Sequence, residues 1–454
     1  MGLTKSLKGP KPRENSHDAL RIPKRIPRQS PMPCTRQNPG RAMRVLVLAP
    51  HPYFQVRGTP IDLDLVLRGL STRSDVEVDV VVFNEGEDRH YRNIRLHRIP
   101  DLPFLRGVRP GFSLRKLACD VFLFARAWSF MRRRHYDVVH AGEEAVFMAM
   151  IFKWLYGVPY LYDLDSSIAQ QMVEKLPLLR PLRGLFNWME SHAIRGALVA
   201  LPVCNALADL SRRRGAKRVM TLHDISQLAD PHAPQTGRMR QELGAKGVLM
   251  LYAGNLEAYQ GVDLLLESFA IALRTTEGVD LGIIGGMPKE IVSYKEKAKR
   301  LGIEKNTHFL GPRPLEELDK NLAEADILVA PRIRGINTPM KVFPYLHSGR
   351  AVLATDLPTH SQILTPDVAM LAAPTPDGFA EAIVRLTQDA DLRRSLGERG
   401  RAFVEANHTF RAHTTRLNET YDLLKSLLVS LLATATHITC EVTEAGVLDF
   451  LPVA

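Results

Sequence analysis

Cysteine is scarce in this 454-residue chain: only Cys34, Cys119, Cys204 and Cys440, no two of them close together. That spacing argues against a CxxC metal site and a disulfide scaffold, and it fits a reducing compartment. No apolar run reaches the roughly 20 residues that cross a bilayer, so no membrane-spanning helix is expected. An apolar h-region near the start is missing too, so no secretory signal is expected. Most of the chain also lacks an excess of either charge. The net charge is +11, but ten of the 60 Lys/Arg and two of the 49 Asp/Glu lie in residues 1–42, leaving 50 against 47 elsewhere. A nucleic-acid groove needs a basic body and not a basic tail, so nucleic acid is not an expected partner.

What remains is ordinary for a globular protein, with 45% hydrophobic and 24% charged residues. At roughly 100–200 residues per domain the length suggests two or three domains. Residues 1–42 are rich in Pro, Arg, Lys and Ser without apolar period and read as a disordered basic leader. Gly2 and Ser6 fit a short myristoylation pattern, and Met43, which heads the first apolar run, is an alternative start.

From Met43 the pattern changes. Short aliphatic runs at 44–50, 76–83, 94–99, 137–140, 160–164 and 197–203 alternate with helical stretches such as 61–70, 114–134 and 143–156. After a Pro-rich linker around 230–237 the alternation restarts at 248–254, 281–286, 308–311, 326–330 and 351–355. Continuous aliphatic strands between helices predict parallel sheets covered on both faces. The expected fold is therefore α/β, with two Rossmann-like doubly wound domains facing a cleft. The boundaries read as 43–215 for the amino-terminal domain and 216–405 for the carboxy-terminal one. A helix at 406–430 is expected to pack back on the amino-terminal domain, with 431–454 as a tail.

In such sheets ligands sit beyond the carboxyl ends of strands, so the loops there carry the candidates. The first loop includes Arg57, Gly58 and Thr59, where a glycine and a helix start suit an anion, or simply make a turn. Asp163 and Asp165 lie two residues apart at a strand end, suited to bind a sugar hydroxyl or act as a base. The alternative is that Asp165 or Ser166 only caps the next helix. Glu143 and Glu144 occupy a similar place and read more simply as partners of a helix dipole. In the second half, Gly254, Asn255 and Gly285 allow a backbone pressed against a nucleotide. Pro331-Arg-Ile-Arg-Gly-Ile-Asn-Thr-Pro-Met-Lys341 is the richest stretch. Asn337 or Thr338 is expected to cap a helix with Pro339 at its first position, its free N–H groups joined by Lys341 and by Arg332 or Arg334. That is a diphosphate site in physical terms; the plainer alternative is a capped core helix with solvated basic residues.

The order of these elements resembles the two-domain GT-B glycosyltransferases of family four, the group-1 glycosyltransferases. The resemblance runs from about Met43 to Leu427, with its most specific stretches at 51–60, 162–167, 254–261, 285–286 and 325–356. It implies a retaining, metal-independent transfer of a hexose from a nucleoside diphosphate sugar, with no cofactor. The donor would lie in the carboxy-terminal domain and a glycan or lipid-linked acceptor in the amino-terminal one. Lys341 and Asp165 would be the catalytic pair. Gly254, Asn255, Gly285, Arg332, Asn337, Thr338 and Pro339 would bind the donor; Arg57, Gly58, Thr59 and Asp163 would face the acceptor. The chain departs from the family pattern at several places. Pro344 stands where a ribose-binding Glu is usual, and its partner Glu is absent near Gly335-Ile336. Asn255 and Gln260 stand where Arg and Lys are usual, and Asp165 stands for a His.

Those departures favour a second reading, a catalytically weak protein of the same fold that binds nucleotide or glycan or serves as a partner subunit; a third, a nucleotide-sugar epimerase of the same fold, has no residue that speaks for it. Segments 102–109, 114–134 and 176–183 mix apolar residues with arginine. They suit either a core helix with solvated arginines or contact with an anionic membrane surface, giving a cytoplasmic protein peripheral to the inner membrane face.

Overall fold

The computed structural model describes residues 41–54, 58–108 and 113–444. Arg57 and most of the basic leader therefore lie outside the described residues. The amino-terminal lobe carries β1 (Met43–Leu48), β2 (Val76–Val82), β3 (Ile94–Arg98), β4 (Val138–Gly142), β5 (Tyr160–Leu164) and β6 (Val199–Pro202). Its helices are α1 (Gly58–Leu70), α2 (Leu114–Arg133), α3 (Ala145–Tyr156), α4 (Ile168–Lys175), α5 (Arg183–Gly196) and α6 (Asn205–Arg213). After α7 (Arg238–Leu243) come β7 (Val248–Ala253), α8 (Val262–Ala272), β8 (Val279–Ile284), α9 (Pro288–Arg300), β9 (Thr307–Gly311), α10 (Leu318–Ala323) and β10 (Ile327–Ala330). The second lobe ends with α11 (Val342–His347), β11 (Ala351–Thr355), α12 (Pro358–Ser361), β12 (Met370–Ala372), α13 (Pro376–Gln388) and α14 (Ala390–Asn407). A last helix, α15, spans Phe410–Glu444.

Both sheets are wholly parallel, and they share one winding. Their strand orders are β3-β2-β1-β4-β5-β6 and β12-β11-β10-β7-β8-β9. In each the order reverses beside the lobe's first strand, between β1 and β4 and between β7 and β10. That switch point is where a doubly wound sheet opens a crevice for ligand. The aliphatic runs make strands because both faces are covered and each residue needs an apolar side chain. Val45, Leu46, Val47 and Leu48 are all buried, as are Leu249 to Tyr252.

The amino-terminal sheet packs one face on α2, α3 and α5 through Leu123 and Ala127, Val146 and Phe152, and Ala193 and Ile194. Its other face packs on α1 and, across the whole chain, on Leu417, Tyr421, Leu424 and Leu428 of α15. Those four recur every three or four residues, so one face of α15 is buried against the first lobe. Gly69 permits that approach, since a Cβ there would lie 2.6 Å from Leu417 Cδ2.

The structure differs from the sequence reading at several boundaries. Residues 218–222 still run beside β6, with Ala200 paired to Val219, so the chain leaves the first lobe only after that stretch. The helical region after 390 breaks at His408, whose ring Nδ1 meets the Asp224 carbonyl (3.2 Å) while its own carbonyl accepts from Ser226 N–H (3.1 Å). The two chain crossings between lobes are thus tied to each other. Beyond that break α15 continues to Glu444, well into the segment read as a tail. The short edge strand β12 was not apparent from the sequence pattern.

Candidate active site

The lobes meet at the carboxyl ends of their strands. Ile336, from the loop after β10, packs on Val203, Cys204 and Leu207 after β6. Gln362, just past α12, accepts from the Ala206 N–H (2.9 Å), and its carbonyl accepts from Asn205 Nδ2 (3.1 Å). At the mouth of β1, a Cβ on Gly58 would lie 4.0 Å from Met340 Sδ. The loops singled out in the sequence therefore face one another across one gap.

On the carboxy-terminal side, the end of β7 is glycine because the backbones crowd. Gly254 has φ +154° and Gly285 φ +108°, and a Cβ on Gly285 would sit 2.1 Å from the Gly254 carbonyl oxygen. Tyr345 of α11 fixes this corner: its hydroxyl accepts from Ala253 N–H (2.7 Å) and donates to the Ala253 carbonyl (3.0 Å). The Lys341 ammonium lies over the Tyr252 ring, 4.0 Å from its centroid, and 2.6 Å from where a Gly254 Cβ would be. Nζ is buried and has no hydrogen-bond partner. Burial, and then the Arg332 charge, pull its pKa from 10.5 down to about 7. A cation held there without an anion is poised to receive one.

The capping expectation fails. The helix begins at Val342 with Lys341 in the N-cap position, and Pro339 lies outside it. Asn337 caps nothing: its side-chain oxygen accepts from Arg332 Nη2 (3.1 Å) and its carbonyl from Thr359 Oγ1 (2.7 Å). Thr338 is buried with its hydroxyl unpartnered. Arg332 is bound up in the loop itself, donating to the Arg334 carbonyl (2.7 Å) and lying 5.1 Å over the Tyr259 ring. The positive charge that reaches Gly254 is therefore that of Lys341. The late start also changes the meaning of Pro344. It is the third residue of α11, in a first turn whose N–H groups have no intrahelical partner, so the missing N–H costs no helix bond. What it removes is a carboxylate. Asn255 is exposed and makes a local turn to Glu257 N–H (3.4 Å), while Gln260 is buried with its carbonyl oxygen unpartnered.

On the amino-terminal side, Ser167, and neither Asp165 nor Ser166, caps α4, accepting from Gln170 N–H (3.3 Å). Asp165 is instead turned into a group of acids. One carboxylate oxygen each of Asp62, Asp163 and Asp165 lies within 4.8 Å of the others. Burial, and then their mutual charge, raise Asp62 and Asp165 well above the usual carboxylate range. Asp224, in the linker, is pushed up to about 7 by burial and by the charge of Asp163. Asp163 is positioned by His140, whose Nε2 lies 3.0 Å from Oδ2 while its Nδ1 lies 2.9 Å from the Tyr421 hydroxyl of α15. Glu143, the one non-glycine residue in left-handed backbone among the described residues (φ +44°), holds Thr59 Oγ1 at 3.5 Å and Lys116 at 3.9 Å. A strained residue at a strand end is the usual mark of a working site.

Of the residues singled out in the sequence, the structure brings Asp163 and Asp165 together on one side and Gly254, Gly285 and Lys341 on the other, and to the first group it adds Asp62, which the sequence pattern did not single out. The one available signal was the pair Asp62 and Asp64 inside the apolar stretch Ile-Asp-Leu-Asp-Leu. Asp64 is consumed by Tyr53, Tyr91 and Arg89; Asp62 is the one left for the cleft.

Comparison with known proteins agrees with this architecture. Residues 247–389 match a family model described as glycosyl transferases group 1, and residues 65–223 match a glycosyl transferase 4-like domain. The chain is 26% identical over 392 residues to D-inositol 3-phosphate glycosyltransferase of Corynebacterium glutamicum, covering 78% of this chain and 91% of that protein. An uncharacterized glycosyltransferase of Methanocaldococcus jannaschii is 20% identical over 369 residues, 79% of this chain and 92% of that one. Among solved structures, sucrose-phosphate synthase from Thermosynechococcus elongatus superposes with TM-score 0.69 at 16% identity, over 85% of this chain and all of that one. HepE of Anabaena, in complex with UDP and glucose, gives 0.63 at 15% identity, over 84% and 99%.

Proposed function

The chain belongs to the group-1 glycosyltransferases and has their GT-B fold, and from that premise we propose that it transfers a hexose from a nucleoside diphosphate sugar to a glycan or lipid-linked acceptor in polysaccharide biosynthesis. The observation that carries the donor side is Lys341: a buried, unpartnered ammonium beside two glycines at the switch point of the second sheet. The diphosphate lies against Gly254 and Gly285, and the ammonium neutralises it as it departs. The bond from the anomeric carbon to the phosphate oxygen breaks while the acceptor hydroxyl oxygen bonds to the same face. The hydroxyl proton passes to the leaving phosphate, so transfer proceeds with retention and the diphosphate needs no metal. Asp163 and Asp165, with Gly58 and Thr59, orient the acceptor, and the gap closes to exclude water from the activated donor.

The test is calorimetric titration with UDP and a panel of nucleotide sugars, followed by donor turnover. A second reading is favoured by Pro344, which leaves α11 without a carboxylate for a ribose. It makes the chain a catalytically weak nucleotide-binding or partner subunit. Nucleotide binding with no turnover of any donor supports that reading; absence of binding removes both.

The outer face of the first lobe supports a membrane-peripheral enzyme. No described helix is long and apolar enough to cross a membrane. Yet Leu114, Trp154 and Leu178 are 81%, 82% and 91% exposed, on α2, on α3 and on the turn that leads into α5. Trp188 and Leu117 are exposed as well. Arg115, Arg126, Arg132, Arg133, Arg180 and Arg183, on α2, on that turn and at the start of α5, are exposed too. Scattered apolar residues are normal, but large apolar side chains exposed on adjoining helices that also carry exposed arginines suit an anionic lipid surface. Lys116, at the start of α2, pairs with Glu144 and so joins this face to the acceptor side. The full chain is expected to float with vesicles containing phosphatidylglycerol and not with pure phosphatidylcholine. Trp154→Glu with Leu178→Glu should reduce the bound fraction at least fivefold. Equal partition on both vesicle types overturns the membrane assignment.

A further inference from the structure

Helix α6 has no cap of its own. Its N-cap position holds Cys204, whose side chain makes no cap hydrogen bond, where Ser, Thr, Asp or Asn would serve. The missing acceptor comes from the other lobe. Gln362 takes the Ala206 N–H on its Oε1 at 2.9 Å, and its backbone carbonyl takes Asn205 Nδ2 at 3.1 Å. The other end of the same amide reaches into the loop that leads to Lys341. Gln362 Nε2 donates to the Ile336 carbonyl at 2.8 Å, and the Ile336 side chain packs on Val203, Cys204 and Leu207. An N–H can only donate and a carbonyl can only accept, so these two partners fix which way the amide lies. Gln362 is therefore aimed at the first lobe by the loop behind it. That loop is held within its own lobe by Thr359 Oγ1 on the Asn337 carbonyl (2.7 Å) and Thr355 Oγ1 on the Arg332 carbonyl (2.6 Å).

We infer that Gln362 is a positioning residue, a strut that passes the state of the Lys341 loop to the first lobe and so links donor occupancy to lobe approach. The chain crosses between the lobes twice, and the crossings are bonded to each other where Ser226 N–H meets the His408 carbonyl (3.1 Å). Rotation about that knot parts or closes the seam where Ile336 and Gln362 meet the end of β6 and the start of α6. With the Ile336 carbonyl in place, Gln362 Oε1 meets the Ala206 N–H and the seam is closed. When that carbonyl turns away, the amide loses the partner that orients it, and the α6 N–H loses its acceptor. A diphosphate on Lys341 steadies the loop from Ile336 onward, and a closed seam in turn favours the diphosphate. The coupling is the same in both directions. It rests on the reading of Lys341 given above. The role needs an amide. A carboxylate would still cap α6 but would set oxygen against the Ile336 carbonyl oxygen, and a methionine would serve neither end.

Cys204 supplies the readout, since it is fully buried at this seam with Sγ 3.9 Å from the Ile336 carbonyl. Cys119, equally buried in the core of the first lobe, reports general unfolding. The full chain is treated with N-ethylmaleimide with and without UDP, and labelling of each cysteine is followed by peptide mass spectrometry. Saturating UDP should slow Cys204 at least fivefold in the wild type. In Gln362→Met and in Gln362→Glu, Cys204 should react at least tenfold faster while Cys119 is unchanged, and UDP should no longer slow it. UDP affinity should fall about fivefold in both, as the loss of one hydrogen bond implies. The glutamate variant separates a strut from a cap: a wild-type rate there means that Gln362 only caps α6, and it overturns the inference. So does a rise of Cys119 in step with Cys204, or UDP that binds the wild type without slowing Cys204. Failure of the wild type to bind UDP counts against the donor assignment, while the UDP-free rates still decide whether Gln362 holds the seam.

Discussion

Replacing Lys341 by methionine should weaken UDP and UDP-sugar binding about 100-fold while making the ligand-free protein more stable. The two effects have one cause. The ammonium sits over Tyr252 with no anion beside it, so the free protein holds a desolvated charge that it does not use. Methionine keeps the length and apolar contact of the side chain and removes the charge. Losing a charge-assisted contact to a diphosphate costs about 2–3 kcal/mol, which is the 100-fold weakening. Relieving the depressed pKa returns about 2 kcal/mol to the free protein. A rise of about 2–4 °C in the melting temperature of the free protein is the corresponding signal. Unchanged UDP affinity would end the assignment of Lys341 to the diphosphate; a lowered melting temperature would show that the ammonium is a structural partner.

The same group sets a pH dependence whose sign can be worked out. Lys341 titrates near 7 in the folded chain and near 10.5 when unfolded, so it binds fewer protons folded than unfolded between those values. Its destabilising effect is complete below pH 7 and fades as pH rises toward 10.5. Donor binding runs the other way, because the diphosphate requires the charged form. Affinity for a UDP-sugar should be flat below pH 7 and fall roughly tenfold per unit between pH 7 and 9. In the methionine variant the curve should be flat across that range.

How much of this was legible without coordinates depends on the range of the interactions. The strands of both sheets up to β11 were legible because a buried parallel strand must be aliphatic throughout, whatever its partners. Gly254, Gly285 and Lys341 could be picked out because a strand end, a helix and a cation follow one another locally. The shape of residues 332–339 could not. It is set by Arg332 folding back on Asn337 and by Thr359 and Gln362, more than twenty residues on, pulling the loop open. A capped helix is the local optimum there, and those distant donors override it. Asp62 was hidden for the same reason. Within α1 it is one polar residue in an apolar stretch, and only the winding of the sheet brings it to Asp163 and Asp165. His140 is an extreme case, since its partners lie 23 and 281 residues away.

Gly285→Ala should be among the most damaging single methyl groups in the second lobe. Two costs coincide at this position. At φ +108° an L residue is strained by about 1–3 kcal/mol. The new Cβ would also lie 2.1 Å from the Gly254 carbonyl oxygen, a backbone atom that cannot step aside as a side-chain tip can. Gly254 N–H is bonded to the Ile284 carbonyl at 3.0 Å, so relief of the clash must part the ends of β7 and β8. A total loss of about 3–4 kcal/mol follows. Because Gly254 is also the wall against which Lys341 rests, donor affinity should fall at least tenfold in whatever protein remains folded. Gly302→Ala provides the control. Its φ is +73° and a Cβ there meets nothing within 4 Å, so only backbone strain, about 1 kcal/mol, is expected, with donor binding unchanged. Equal destabilisation by the two alanines would mean that the β7 and β8 ends separate freely. The corner at Gly254 would then be too soft to hold a diphosphate against the ammonium.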